Sequence, residues 1–286
     1  STGVARDGLI VPTLVKELRK SLDEAHRPHL HFGATSQDVI DTGLVLRLKA
    51  AGALLRDDIG NVIKRLDQLS LERGRQPLMG RTRMQRALEV RVADRIGIWR
   101  RPLEHHLEAL DRLESHLLAV QFGGPVGTLE TLGDKGSEVR ARLAERLALV
   151  DPGCCWHTDR SRIADIANWL SKVSGTLGKI GQDVVLMAQN EVGEVEISGG
   201  GLSSAMPHKK NPVRAEMLVS LARYNAVQLG GIHQAVVHEN ERSGSAWTLE
   251  WLTLPMMVAA TGAALGVVGG LLDDMTFPAG SSEAGE

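Results

Sequence analysis

Two hydroxyls and a pair of cations pose the chemical question. Ser203 and Ser204 stand shortly before Lys209 and Lys210 in the stretch SGGGLSSAMPHKKNPVRAE, Ser198 to Glu216. A serine hydroxyl is a poor acid or base at neutral pH. A neighbouring ammonium such as Lys209, and backbone N–H groups freed at Gly199 to Gly201, lower its pKa and suit it to proton transfer. The alternative is plain loop polarity, with both lysines as solvated charges. Asn211 and Pro212 also read as a helix start, Asn as cap and Pro as first residue, which does not exclude a ligand role for Asn211.

A second polar stretch, HFGATSQD, places Thr35, Ser36 and Gln37 just before a helix, where hydroxyls and unpaired N–H groups favour a carboxylate. An ordinary capping segment has the same composition. His29 and His31 have H-x-H spacing, but no carboxylate-plus-His set at i, i+4 spacing completes a site, so no metal is expected. The run HENER, 238 to 242, lacks the second His of a zincin motif and reads as a solvated, charged helix end. No nucleotide, flavin or metal motif occurs, so no cofactor is expected.

Long helices must position these groups. Ile163, Ile166, Leu170, Val173, Leu177, Ile180, Val184 and Met187 step by threes and fours, a helix with a heptad-like seam. Gly175, Gly178 and Gly181 lie within it and lower its helix propensity, so close packing of another backbone is expected there. A second helix follows from Leu48, Ala51, Leu55, Val62, Leu66 and Leu69, and a third from Met217, Leu221, Tyr224, Val227, Gly231 and Ala235. Helical stretches are also expected over roughly 84–120 and 246–272, with irregular polar stretches at 29–42, 77–85 and 121–134. Aromatics at 3% and few alternating β-branched runs predict little sheet. The class expected is all-α, an elongated long-helix bundle whose exposed seams are covered by oligomerisation. Residues 1–80 are read as an N-terminal region, 81–272 as the central bundle carrying the serine loop 198–212, and 273–286 as the start of a C-terminal region.

Composition narrows the partners. A formal charge of −2, with 33 Lys and Arg against 35 Asp and Glu, gives no dedicated nucleic-acid surface. The two cysteines, Cys154 and Cys155, are adjacent and supply neither a disulfide framework nor a CxxC pattern, which favours a reducing compartment. No apolar run is read as reaching the ~20 residues of a membrane span, and the start STGVARDGLIVPTL lacks a signal-peptide layout. A cytoplasmic protein is expected. The missing initiator Met and the helical opening suggest that the chain is incomplete.

Together these motifs resemble a known family. LSSAMPHKKNP is similar to the GSSxMPxKxNP loop of the fumarase/aspartase superfamily, and HFGATSQD to its substrate-binding TS segment. GRTRMQ falls where that family has RTHxQ, and HENERSGSAWTLEW resembles the HER segment that follows the loop. Within the superfamily, QFGGPVGTLETLGDKG, AQNEVGEV and AWTLEWLTLP resemble the bacterial branch that lactonises a carboxymuconate. Three departures stand out. Arg83 replaces the His of RTH, Leu202 replaces a Gly before the serines, and the family's N-terminal segment and C-terminal helical domain are not in this chain.

The resemblance implies a homotetrameric long-helix bundle with active sites shared between subunits and a small polycarboxylate substrate. It implies Ser203 as proton donor to carbon, with Ser204 in reserve. Thr35, Ser36, Gln37, Lys209 and Asn211 are expected to bind carboxylates, with Gln85 and Arg242 positioning the substrate. Arg83 fits this branch because the group that adds to the double bond is an ionised carboxylate. It needs no proton from a His, and a guanidinium holds it in register; a solvent-facing Arg is the alternative. The competing readings are a lyase releasing fumarate from adenylosuccinate or a similar adduct, and a non-catalytic, crystallin-like scaffold.

Overall fold

A computed structural model describes residues 2–199, 201–202 and 210–278. In chain order these form α1 (Thr2–Asp7), α2 (Val11–Ser21), α3 (Ser36–Arg73), β1 (Pro77–Thr82), β2 (Gln85–Arg91), α4 (Val92–Leu117), α5 (Gly136–Leu147) and α6 (Ser161–Met187). Then follow β3 (Glu196–Ile197), β4 (Gly201–Leu202), β5 (Lys210–Asn211), α7 (Val213–Ala235), α8 (Ser245–Asp274) and β6 (Met275–Thr276). The class is all-α. Its strands form only two-stranded ladders, β1 with β2, β3 with β6 and β4 with β5, among the described residues.

The chain divides into two compact units. The second comprises Gly52–Asp111, Ile166–Ile232 and Glu250–Glu286. Its core is the seam read from the sequence: Ile166, Leu170, Val173, Leu177, Ile180, Val184 and Met187 of α6 are all at most 4% exposed. Leu55, Ile59, Val62 and Leu66 of α3 and Ile96, Trp99 and Leu103 of α4 are buried with them. Each such side chain contributes about 1.5–3 kcal/mol on burial. Polar ties set the register of these helices. The Trp99 indole donates to Asp183 at 2.7 Å, and buried Asn225 donates to Ser174 at 3.1 Å and Thr261 at 2.9 Å.

Two of the three seam glycines do what close packing requires. A Cβ on Gly181 would lie 2.5 Å from the Ala215 carbonyl and 2.8 Å from Leu218 Cβ, and one on Gly178 would overlap the Ala222 methyl. The expectation fails at Gly175, which is exposed and has open space about it. Gly181→Val is therefore expected to destabilise the protein by about 1–3 kcal/mol through overpacking. Gly175→Ala should stabilise it by about 0.5–1 kcal/mol through helix propensity. Denaturant midpoints check both, and an unchanged midpoint for Gly181→Val would reject the close approach of α6 and α7.

Three expectations need correction. Residues 77–82 and 85–91 are strands, not an irregular stretch and a helix: β1 and β2 form an antiparallel hairpin in which a Cβ on Gly80 would meet the Leu88 carbonyl at 2.5 Å. The stretch 29–42 is irregular only as far as Thr35, because α3 begins at Ser36. Finally, α8 is long and apolar enough to cross a membrane by length and composition, with a mean hydropathy of 1.7 over its most apolar window. Half of that window is buried in the protein, and Leu254, Met257, Leu265, Val268 and Leu271 belong to the core.

Candidate active site

The first unit, Ser1–Ala51, Arg112–Asp165 and His233–Leu249, gathers the TS segment, the glycine-rich loop after α4 and the HER segment. Its geometry starts from the first turn of α3. The Asp38 carboxylate accepts the Thr35 backbone N–H at 2.9 Å, one half of a capping box, which fixes where the helix begins. It also accepts the backbone N–H groups of Gly123 at 2.9 Å and Gly124 at 3.0 Å, and His157 Nε2 bonds it at 2.8 Å. One buried carboxylate thus anchors the loop 121–129 against the TS segment. Thr35 and Ser36 remain half-buried beside this anchor, at the N-terminus of a 38-residue helix. Unpaired N–H groups at such an end favour an anion.

One turn further along α3, Asp41 organises a second buried set. It forms a two-pronged ion pair with Arg160 at 2.7 and 3.2 Å, both side chains wholly buried, and accepts the Trp247 indole N–H at 3.0 Å. Gln37 spans from this set to the surface. Its Nε2 donates to Asp41 at 3.1 Å and to the His157 carbonyl at 2.9 Å, while its Oε1 accepts from Arg242 Nε at 3.0 Å. The fully buried Gln37 has both amide hydrogens engaged by protein, so its geometry suits positioning of Arg242 rather than direct substrate binding. Arg242 also donates to the Pro125 carbonyl at 2.9 Å. These two bonds fix the guanidinium plane, and an arginine carries five N–H donors, enough to add a carboxylate ligand. The segment 238–242 is an exposed turn between helices and not the helix end expected, with Arg242 tied to Gln37.

The other candidates lie in the second unit. Arg83 occupies the tight turn of the β1–β2 hairpin, where it and Met84 adopt positive φ of 48° and 69°, and Gln85 pairs with Thr82 across that turn. Both Arg83 and Gln85 are exposed. The buried Glu194 pairs with Arg81 on the same hairpin. Asn211 lies in β5 opposite Gly201, and the Pro212 carbonyl takes the first helical bond of α7, from Glu216 at 3.0 Å. The expected Asn cap is therefore shifted by one residue. Ser203, Ser204 and Lys209 lie outside the described residues. The described flanks are tied down: β4 pairs with β5, and Ser198 donates backbone and hydroxyl hydrogens to the Asp274 carbonyl at 3.0 and 3.2 Å. Among the described residues no three His, Cys, Asp or Glu side chains converge as a metal site.

Sequence reasoning passed over Asp38 and His157. Asp38 had a local signal, the T-x-x-D capping pattern of Thr35 to Asp38. His157 had none, since its partner lies 119 positions away. Burial pulls the His157 imidazole down, but hydrogen bonding to Asp38 and to the Cys155 thiol outweighs burial and raises it to about 9. The imidazole is therefore charged at neutral pH.

The fold and these segments place the chain by comparison as well as by geometry. The family model described as "Lyase" matches residues 10–225, and the chain belongs to that family. It is 39% identical over 273 residues to a 3-carboxy-cis,cis-muconate cycloisomerase of Pseudomonas aeruginosa, covering 94% of this chain and 59% of the relative. It is 34% identical over 249 residues to an N-acetyl-S-(2-succino)cysteine lyase of Enterococcus italicus, covering 86% and 55%. The crystal structure of the 3-carboxy-cis,cis-muconate lactonizing enzyme from Pseudomonas putida superposes with a TM-score of 0.91 at 37% identity, over 98% of this chain and 63% of that one. The chain thus spans about three fifths of these relatives' length.

Proposed function

We propose that the protein is a cycloisomerase that closes 3-carboxy-cis,cis-muconate to a carboxymuconolactone in protocatechuate breakdown. The observation that carries this reading is the 39% identity to such an enzyme over 94% of the chain. One substrate carboxylate oxygen adds to the conjugated double bond within the same molecule, forming the C–O bond of the lactone. Negative charge then builds on the carboxylate next to the carbon being protonated, and Ser203 delivers the proton there. Donors fixed around that carboxylate stabilise the developing charge more than the ground state, which is the source of rate acceleration. Thr35, Ser36, Arg242, Lys209 and Asn211 are the residues that the resemblance names as such donors, in active sites shared between subunits. Arg83, exposed on the hairpin turn, holds a second carboxylate through a bidentate contact.

A fumarate-releasing lyase is the second reading, favoured by the similarity to the succinocysteine lyase. Arg83 weighs against a lyase that releases an amine, such as adenylosuccinate lyase, because that poor leaving group benefits from an acid where this chain has a guanidinium. The assay that decides follows diene absorbance with 3-carboxy-cis,cis-muconate and fumarate release from adenylosuccinate and N-acetyl-S-(2-succino)cysteine in parallel. Loss of the diene without fumarate release is the expected outcome. Fumarate release with an unchanged diene would overturn it, and inactivity on every substrate would favour the structural-scaffold reading.

The proposal extends to a cytoplasmic homotetramer. Free Cys154 and Cys155 support the compartment. For self-association the support is an apolar stripe on α7: Val213, Met217, Tyr224 and Val227 are 46%, 46%, 37% and 74% exposed at helical spacing. Val227→Glu is expected to shift the protein to smaller species in sedimentation. An unchanged assembly would exclude this stripe from the interface.

A further inference from the structure

The hairpin that carries Arg83 has little core of its own. Of the described residues of β1 and β2 only Leu78 is buried, and it lies near the base of the ladder, paired with Val90. Beyond it the register shifts between Met79 and Arg81, and the outer end consists of the pairs Arg81–Arg86 and Thr82–Gln85 and the turn Arg83–Met84. That end does not support itself. Arg81 and Arg86 are like charges directly opposite each other, which pushes two strands apart. A two-residue turn with positive φ at both positions is one that asparagine and glycine hold readily, and here an arginine and a methionine occupy it. Residues other than glycine keep such angles only where the surrounding structure enforces them.

A side chain from outside the hairpin supplies the tie. Arg81 Nη1 donates to Glu194 Oε1, and the Glu194 side chain is 3% exposed against 25% for Arg81. The end of α6 fixes where Glu194 sits. The chain reverses through Gly193, at φ 61°, whose N–H bonds the Gln189 carbonyl at 2.8 Å. The N–H groups of Glu194 and Val195 then return to the Met187 carbonyl at 3.0 and 3.3 Å, and Met187 and Val195 are both buried. Glu194 thus links the outer end of the hairpin to the core of the second unit. A buried ion pair is weak support for stability, because desolvation of both charges offsets their attraction. The cost is visible at Glu194, whose Oε2 has no hydrogen-bond partner among the described residues. The pair lies two residues from Arg83, where a tie sets the place of the turn.

We propose that Glu194 is a positioning residue which, through Arg81, holds the hairpin turn where Arg83 meets a substrate carboxylate. The role of Arg83 rests on the function proposed above, whereas the hold of Glu194 on the turn does not. A guanidinium makes its two-pronged contact only when its fork lies in the plane of the carboxylate, so a displaced turn weakens binding and leaves the proton transfer in place.

The test is a double-mutant cycle between Glu194→Gln and Arg83→Ala, read with 3-carboxy-cis,cis-muconate. Glu194→Gln removes the charge and keeps the shape. It is expected to raise KM about ten-fold with kcat held within a few-fold, and to change KM by less than about two-fold in the Arg83→Ala background. A merely structural pair would give the same loss in both backgrounds; that result, or an unchanged KM, overturns the proposal. Hydrogen exchange supplies a readout independent of activity. The amides of 79–86 should exchange about ten-fold faster in Glu194→Gln, while those of 166–187 keep their rates. Unchanged exchange in the hairpin, or an equal acceleration in α6, contradicts a local hold. Should Glu194→Gln not fold, the pair Arg81→Met with Glu194→Gln removes both charges together and takes its place in both measurements. If the starting protein does not consume the diene, the proposed function fails, and exchange in the hairpin still decides whether Glu194 holds the turn.

Discussion

Ser203→Ala is expected to lower kcat by about 10²–10⁴-fold while leaving KM within a few-fold of its starting value. The reason is the division of labour in the proposed reaction. Binding of the polycarboxylate falls to Thr35, Ser36, Arg83, Lys209, Asn211 and Arg242, whereas the proton reaches carbon through one hydroxyl. Removing that hydroxyl takes away an interaction made only in the transition state, so kcat and kcat/KM fall together. Steady-state kinetics of Ser203→Ala and Ser204→Ala make the check. Loss at Ser204 with retention at Ser203 would exchange their roles, and unchanged turnover in both would remove the serines from proton transfer.

Asp41→Ala is expected to cost about 3–5 kcal/mol, the loss typical of breaking a buried ion pair from one side. Arg160, with its side chain wholly buried, would lose its carboxylate, and the Trp247 indole N–H and Gln37 amide would each lose an acceptor. Because Gln37 holds Arg242, the damage should also reach the candidate site, raising KM in whatever fraction remains folded. Urea denaturation measures the first effect and kinetics the second. A loss below about 1 kcal/mol would show that the pair is dispensable for stability.

What the sequence made legible follows from how each signal is carried. The α6 seam was readable because its apolar side chains repeat along one helix and are all buried, from Ile163 to Met187. The β1–β2 hairpin was not, since six of the seven residues in β2 are exposed and no one-sided core imposes alternation on them. Residues 85–91 are instead rich in helix formers such as Gln85, Arg86, Ala87, Leu88 and Glu89. The start of α3 was misplaced because Gln37, Asp38, Asp41 and Thr42 look like loop residues by polarity, yet all are buried and paired over long sequence distances.

The candidate site divides in the same way. Thr35, Ser36 and Arg242 announced themselves through motifs, and the first unit brings these segments together through Gln37 and Asp38. The cluster of Asp38, Gln121, Cys155 and His157 did not, because its members are dispersed in sequence and only the fold makes them neighbours. Gln37 shows the limit of motif reading from the other side. It sits inside a recognisable segment, yet burial and three hydrogen bonds give it a supporting part.

Lactonisation by internal carboxylate addition is tested most directly by running the reaction on 3-carboxy-cis,cis-muconate in D₂O and reading the product by NMR. A carboxymuconolactone carrying a single deuterium, on the carbon next to a carboxylate, is the expected result, with no fumarate formed. Recovery of unchanged substrate, or a product with no new carbon–deuterium bond, would contradict the reaction proposed here.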